Sequence, residues 1–551
     1  MTADLRPLGE ILDNRQRWAL VFSLMIAMFV GALDQTIVAT ATPKILSDLG
    51  GFGLFSWMFT SYMLASTVVI PLVGKLSDVY GRKFFVMAGI IVFTIGSGLC
   101  GAAPTMISLI GFRALQGIGG GMIFSSVFST IGDIFPPAER GKYMGMFTGT
   151  FSLASILGPT VGGFLTDSVD WRLVFYINVP FALIALPAIW FNLPNRRGVR
   201  KPKIDFVGAA FLSVASVLTL LALVWAGDRY DWASPQIIGL FSAAAVLVGV
   251  FIWQEDRHPE PMLPLHLFRN GVFVLSNLIV FTLGVGMFGV IAYLPTFVQT
   301  ALGASATASG VITTPQSLGV LVTSVIGGQI ISRTGKYRWI AILGSVIIIG
   351  GMVFLSRLSL NTSELTISAI MVVLGFGFGL VMPTMSLVVQ NAVPYEYLGV
   401  ATSSSQFFRQ IGTVLGTAVF GALLASSYHS AFQRELPPSD RAAFPPAVIA
   451  AFNDPTLALD KTNFAKVQDE VRKASPTDGE RLLGSALHTQ KVAIAEANRT
   501  IFTLALIVAI ISGILAIFMK ELPLRHSFRP VEEGAMPEMD IEPPDLLPEI
   551  P

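Results

Sequence analysis

Asp34 and Arg113 are ionisable side chains set in stretches otherwise apolar enough to span a bilayer. A charged side chain at the centre of a spanning helix costs about 2.5–3.5 kcal/mol on insertion scales, so such groups face a bundle interior or a wet cavity. Low dielectric favours the protonated form of a carboxyl and a nearby cation favours the ionised form. A carboxyl whose surroundings alternate between the two can load and release a proton. Arg409 is a further cation inside an apolar run, placed either on a pathway or in the packing near an inner helix end. Gln35, Gln316 and Gln406, with nearby Phe and Met side chains, have the chemistry of an adaptable apolar cavity, although such residues are more often core.

The elements that position these groups follow from composition. Of 551 residues 53% are hydrophobic and only 13% charged, with a mean hydropathy of +0.68, which no soluble globular class shares. A net charge of +1 argues against a nucleic-acid partner. The single cysteine, Cys100, excludes an intrachain disulfide and a cysteine metal cluster. Five scattered histidines lack ligand spacing, and no nucleophile–base constellation is visible, so neither a metal cofactor nor an enzyme is expected.

Apolar runs of roughly 20 residues recur about fourteen times, each long enough to cross the hydrocarbon core as a helix. The first, from about Trp18 to Ala41, is too long for a secretory signal and reads as a retained span. Lys and Arg concentrate in alternate connections: Arg15 and Arg17; Lys75, Arg82 and Lys83; Arg140 and Lys142; Arg196 to Lys201; Arg333, Lys336 and Arg338. By the positive-inside rule these are cytoplasmic, which with an even number of spans puts both termini inside.

The expected organisation is a cytoplasmic segment 1–16, a six-helix bundle 17–193, a linker with two extra helices 194–253, and a second six-helix bundle 254–519 with a long outer loop at 427–499, a surface cap with amphipathic stretches at Asp460 to Lys473 and at Gly479 to Asn498, the second running into the last helix. A Pro-, Glu- and Asp-rich tail, 520–551, is expected to be disordered. A weak internal duplication supports two bundles. Gly74, Gly81 and Arg82 match Gly328, Gly335 and Lys336 at a spacing of 254 residues, and Gly141, Leu157, Gly158, Val161 and Gly163 match Gly399, Leu415, Gly416, Val419 and Gly421 at 258.

Four motifs carry more specific information. Gly74-Lys-Leu-Ser-Asp78-Val-Tyr-Gly81-Arg82-Lys83 joins spans two and three; Gly81 permits a tight turn, while Asp78 and Arg82 can bridge helix ends as an inner gate. It resembles the signature loop of the major facilitator superfamily, with Val79 where the family has Arg. Leu33-Asp34-Gln35-Thr-Ile-Val-Ala39 resembles the first-span motif of the fourteen-helix drug:proton antiporter branch, with Ala39 replacing Asn. Arg113-Ala-Leu-Gln116-Gly-Ile-Gly is similar to the superfamily's fourth-span element and, lacking a Gly-Lys-Ser/Thr ending, is not a phosphate loop. Gly158-Pro159-Thr-Val-Gly162-Gly163 resembles the antiporter motif of span five. Its glycines offer a close-packing face and its proline a bend, both suited to a hinge. Trp171-Arg172 through Asn178-Val-Pro180, Gly375 to Pro383 and Gln406 to Gly412 are also similar to segments of this branch.

The resemblance implies an all-α membrane protein of major facilitator fold, two six-helix bundles plus two inserted helices. It implies a monomeric, multi-pass plasma-membrane exporter of hydrophobic or amphipathic small molecules, powered by a proton gradient and needing no cofactor. Asp34 and Arg113 would couple protons, Gly74, Asp78, Gly81, Arg82 and Lys83 would form the inner gate, Gly158, Pro159, Gly162 and Gly163 the hinge, and Gln35, Gln116, Gln316, Gln406 and Arg409 the pathway. The alternatives are a dedicated exporter of an endogenous lipid, siderophore or metabolite, and a non-transporting membrane sensor using the outer loop and tail.

Overall fold

The computed structural model describes residues 8–50, 54–195, 205–227, 229–454, 457, 461–475 and 478–524. The basic cluster Arg196 to Lys201 and the acidic tail from residue 525 onward lie outside them. The described chain is helical, with a single isolated bridge, Ala226 to Tyr230, and no strand.

Fourteen long helices follow in order: α1 Asn14–Leu49, α2 Phe55–Tyr80, α3 Arg82–Gly101, α4 Met106–Ile134, α5 Pro137–Ser168, α6 Asn178–Asn192, α7 Phe206–Trp225, α8 Pro235–Arg257, α9 Gly271–Thr296, α10 Ala306–Thr334, α11 Arg338–Leu355, α12 Glu364–Asn391, α13 Leu398–Glu435 and α14 Gly479–Phe518. A single turn, Leu173–Tyr176, leads into α6 and a π turn, Phe297–Ala301, continues α9. Thirteen of these segments are long and apolar enough to cross a membrane. The exception, α5, is 32 residues long, but Gly, Ser and Thr dilute its apolar content because much of it packs against other helices.

Polar side chains set several helix starts. Asp13 and Thr105 form capping boxes on α1 and α4, and Ser234, Asn270, Ser305 and Ser363 accept backbone N–H groups at the starts of α8, α9, α10 and α12. Glycine ends α2 and α10 in the same way: Gly81 (φ 94°) and Gly335 (φ 68°) both lie in the left-handed region and both donate to a carbonyl one turn back.

The helices form two bundles of matching design. In the first, α1 packs on α4, α5 and α6, while α3 and α2 pack on α4; in the second, α9 packs on α12, α13 and α14, while α11 and α10 pack on α12. The bundles meet at α2 against α13 and α5 against α10, a reciprocal pair of crossings, while α7 and α8 pack on one another and α7 lies outside against α2 and α13. The repeat glycines make the crossings close: a Cβ on Gly74 would sit 2.8 Å from the Gly399 carbonyl oxygen, and one on Gly141 2.9 Å from that of Gly328. The face that holds these crossings and the connections 81, 335–338 and 391–397 is called inner below, after the Lys/Arg asymmetry.

The amphipathic stretches expected in the outer connection are helical, the second continuous with α14, while the expectation of a tail disordered from residue 520 needs correction. The outer connection 427–499 is mostly helix: α13 runs on to Glu435 and α14 starts at Gly479, with short helices Pro438–Ala443, Pro446–Phe452 and Lys461–Ala474 between them. At about 1.5 Å per residue, helices of 38 and 40 residues exceed a ~30 Å hydrocarbon core, so their polar ends project beyond it. There Phe444, Phe452, Phe432 and Tyr428 build a small aromatic core, with the Tyr428 hydroxyl donating to the Phe452 carbonyl at 2.7 Å. The tail also begins ordered. Glu521 accepts from the backbone N–H of Tyr337 (2.7 Å) and Arg338 (3.3 Å), and Leu522 N–H donates to the Tyr337 hydroxyl at 2.6 Å.

Candidate functional site: a sealed ion pair and an inner latch

Asp34 lies mid-way along α1 with no exposed surface, and three side chains donate to its carboxylate. Arg113 Nη1 of α4 donates to Oδ2 at 2.5 Å, while Gln116 Nε2 (2.7 Å) and Asn178 Nδ2 of α6 (3.2 Å) donate to Oδ1. Arg113 also donates to Gln116 Oε1 (2.7 Å) and the Met58 carbonyl (3.3 Å), and its guanidinium lies 4.5 Å over the Tyr62 ring. Ser97 of α3 closes the network, accepting from Gln116 (3.1 Å) and Asn178 (2.8 Å) and donating to the Phe175 carbonyl (2.8 Å). The absence of a side chain at Gly96 permits this: a Cβ there would sit 2.7 Å from Gln116 Cα, so α3 approaches α4 where the glutamine must reach inward.

The arrangement compensates both buried charges, and removing either partner would strand the other at a cost of roughly 3–5 kcal/mol. Gln116, expected on a pathway, is fully buried in this network. Asn178, Ser97 and Tyr62 were not expected as members. The Arg-x-x-Gln spacing could have indicated that Arg113 and Gln116 share a helix face, but nothing local tells which polar residue of another helix meets them.

The residues expected at an inner gate form a second charged cluster. Asp78 accepts from the backbone N–H of Gly399 and Val400, each at 3.0 Å, and so caps the first turn of α13 across the bundle boundary. Arg82 pairs with Asp78, donates from Nε to Asp133 Oδ2 at 2.7 Å and from Nη1 to Ser77 Oγ at 2.6 Å. Asp133 was missed because it lies at the far end of α4, 51 residues from Arg82. Lys83 is not part of this latch: its Nζ donates to the Trp190 carbonyl at 2.6 Å and lies 5.0 Å over that ring, tying α3 to α6. At the other crossing Ser332 Oγ accepts from Lys142 N–H at 3.1 Å, the neutral counterpart of Asp78 on α13.

Gly158 and Gly162 of α5 lie against Thr36, Ile37 and Thr40 of α1, where a Cβ on either would collide. Gly163 faces open space and takes no part in that contact, and Pro159 sits inside a continuous α5. Among the remaining pathway candidates Gln35 is half-buried beside Asp34, and Gln316 is buried in α10 with no hydrogen-bond partner for Nε2. Gln406 is buried in α13 and accepts from Arg409. No group of three or more potential metal ligands occurs among the described residues.

Residues 24–417 match the family model described as Major Facilitator Superfamily. The chain belongs to that family. It is 38% identical over 516 residues to the Multidrug transporter protein MdtP of Bacillus subtilis (strain 168), covering 93% of this chain and 94% of that protein. It is 41% identical over 404 residues to Multidrug resistance protein 3 of the same organism, covering 73% and 78%. Among solved structures, the major facilitator proton:xylose symporter XylE superposes with a TM-score of 0.60 at 13% identity, covering 93% of this chain and 98% of that one. That likeness shows the shared fold alone. This member of the superfamily is therefore a multi-pass membrane transporter and not an enzyme, as the sequence led us to expect.

Proposed function

We propose that the chain exports amphipathic or hydrophobic small molecules from the cytoplasm across the plasma membrane, with its termini inside, by alternating access coupled to proton entry through Asp34. The observation that carries this reading is the Asp34–Arg113 pair, a complete ionised network inside a spanning bundle. The two Bacillus relatives with multidrug names support the substrate class.

Asp34 has no exposed surface while the inner latch is closed, so the reading requires a second conformation that opens the carboxylate to water. Protonation there would release Arg113 and Gln116 from the carboxylate, and it would bias transport because the two conformations would bind the proton unequally. The hinge that would deliver this change is the glycine contact of α5 on α1, beside Asp34.

The test is accumulation of a fluorescent lipophilic dye in cells with and without the chain, repeated after a protonophore collapses the gradient. Lower accumulation that disappears with the gradient supports the reading. Unchanged accumulation with the protein present in the membrane ends it.

A further inference from the structure

Arg113 and Arg409 sit in spans of the two bundles, and only one has a counter-ion. Arg409 lies 11 residues into α13, roughly 16 Å along the helix from its first residue and so about half-way through a ~30 Å core. Among the described residues its only side-chain partner is Gln406, whose Oε1 accepts from both Nε (3.0 Å) and Nη2 (2.9 Å). No carboxylate of the described chain pairs with it, and no aromatic ring lies under it, in contrast to Arg113.

The two contacts take up one edge of the guanidinium. The other edge, Nη1 with the second Nη2 hydrogen, presents two parallel N–H donors and has no acceptor among the described residues, which is the geometry that matches a carboxylate or phosphate fork. An intramembrane arginine is normally compensated by an anion or by water in a cavity. A site that holds a fixed, oriented, uncompensated guanidinium favours whatever anion can reach it, and Gln406 holds the guanidinium in place without neutralising it.

We infer that Arg409, oriented by Gln406, binds the anionic group of the transported molecule, so that the substrates are amphiphiles carrying a carboxylate, phosphate or sulfonate. This rests on the exporter reading and adds to it the charge class of the cargo. It agrees with the composition of the second bundle, where no acid lies inside the apolar part of a span to receive a cationic group.

The test compares two probes with one ring system, anthracene-9-carboxylate and anthracene-9-carboxamide, binding to the purified full-length chain in detergent at neutral pH. The carboxylate is expected to bind at least tenfold more tightly than the amide. Arg409→Gln should reduce the carboxylate to the affinity of the amide. Gln406→Glu, which keeps the arginine but places a protein carboxylate against it, should do the same and guards against misfolding of the first variant. Equal affinities in the unmodified chain, or a preference that survives in both variants, overturns the inference. Gradient-driven dye export together with equal affinities removes this inference alone. Anion preference without gradient-driven flux of either probe removes the exporter reading and leaves the binding site.

Discussion

The two halves of the molecule use one helical plan with different charges. At the crossing of α2 and α13 the latch is Asp78, Arg82 and Asp133; at the crossing of α5 and α10 the residues at the corresponding repeat positions are Ser332, Lys336 and Asn391. The first set is buried and fully ionic. In the second, Ser332 accepts a single backbone N–H, from Lys142 in the second turn of α5, so it makes a neutral contact without capping the helix, while Lys336 is exposed. Mid-membrane the contrast repeats, with a closed ion pair at Asp34 and Arg113 against the half-satisfied Arg409. Outside, the turn between α5 and α6 is short, whereas α13 and α14 carry a helical cap. A repeated fold thus supplies matching positions whose charges have diverged, and the proposed proton carrier in the first half and the proposed cargo site in the second would each use that difference.

The largest expected effect comes from deleting the carrier. Asp34→Asn should bring gradient-driven efflux to the level of cells lacking the chain, while the protein still reaches the membrane. Uncoupler-sensitive efflux at the normal rate would break the division of labour between the halves. Next comes the ionic latch. Asp78→Ala removes the cap on α13 and leaves Arg82 with Asp133 and the Ser77 hydroxyl, at a cost of roughly 0.5–2 kcal/mol to the inner-closed state. That is enough to shift the ratio of the two conformations several-fold. Spin labels at Tyr80→Cys and Glu396→Cys, both exposed at the inner face, should report a longer distance population in the variant; an unchanged distribution would mean the latch does not set the closed state.

Much of this was legible before any coordinates. Spans of the required length, the repeat glycines and the signature loop are local patterns, because helix length and backbone turns are fixed by neighbours in sequence. The network around Asp34 was only half visible. Arg113 and Gln116 are one turn apart, but Ser97 and Asn178 arrive from two other helices, and their meeting depends on how closely glycines such as Gly96 let those helices pack. Asp133 was hidden for the same reason. In the outer cap the amphipathic pattern at 460–473 and 479–498 is visible in sequence, but the continuation of α13 to Glu435 and the short helices Pro438–Ala443 and Pro446–Phe452 are not, because the apolar signal stops at the membrane boundary while backbone hydrogen bonding carries the helix onward.

A smaller effect should follow from the neutral latch, and it sharpens the comparison in both directions. Ser332→Ala removes one neutral hydrogen bond, worth about 0.5–1.5 kcal/mol, so the same distance measurement should move less than for Asp78→Ala. Ser332→Asp would place a carboxylate against the Lys142 N–H across the second crossing and should favour the inner-closed state, slowing turnover by holding the gate shut. If Ser332→Ala opens the inner face as far as Asp78→Ala, the two latches are equivalent and the charge asymmetry has no gating role.

The smallest effect is expected in the outer cap that only the second half carries. Asp440 accepts from Ser485 Oγ at 2.6 Å and from Arg481 Nη1 at 3.0 Å, and these bonds, the serine first, hold its carboxyl below the usual carboxylate range. A depressed value means that the stabilising contribution is complete above the ordinary aspartate value of about 4 and is lost as pH falls through the lower folded value. Amide hydrogen exchange at Pro438–Ala443, corrected for intrinsic rates, should therefore keep its protection down to about pH 4 and lose part of it below. In Asp440→Asn the protection should already be reduced at neutral pH and show no further step. Since the carboxylate anchors the cap to Arg481 and Ser485 in the projecting first turns of α14, outside its membrane-spanning part, dye efflux at neutral pH should stay near normal in that variant. A loss of efflux as large as that of Asp34→Asn would instead make the cap part of the transport cycle and end the assignment of energy coupling to the first half alone.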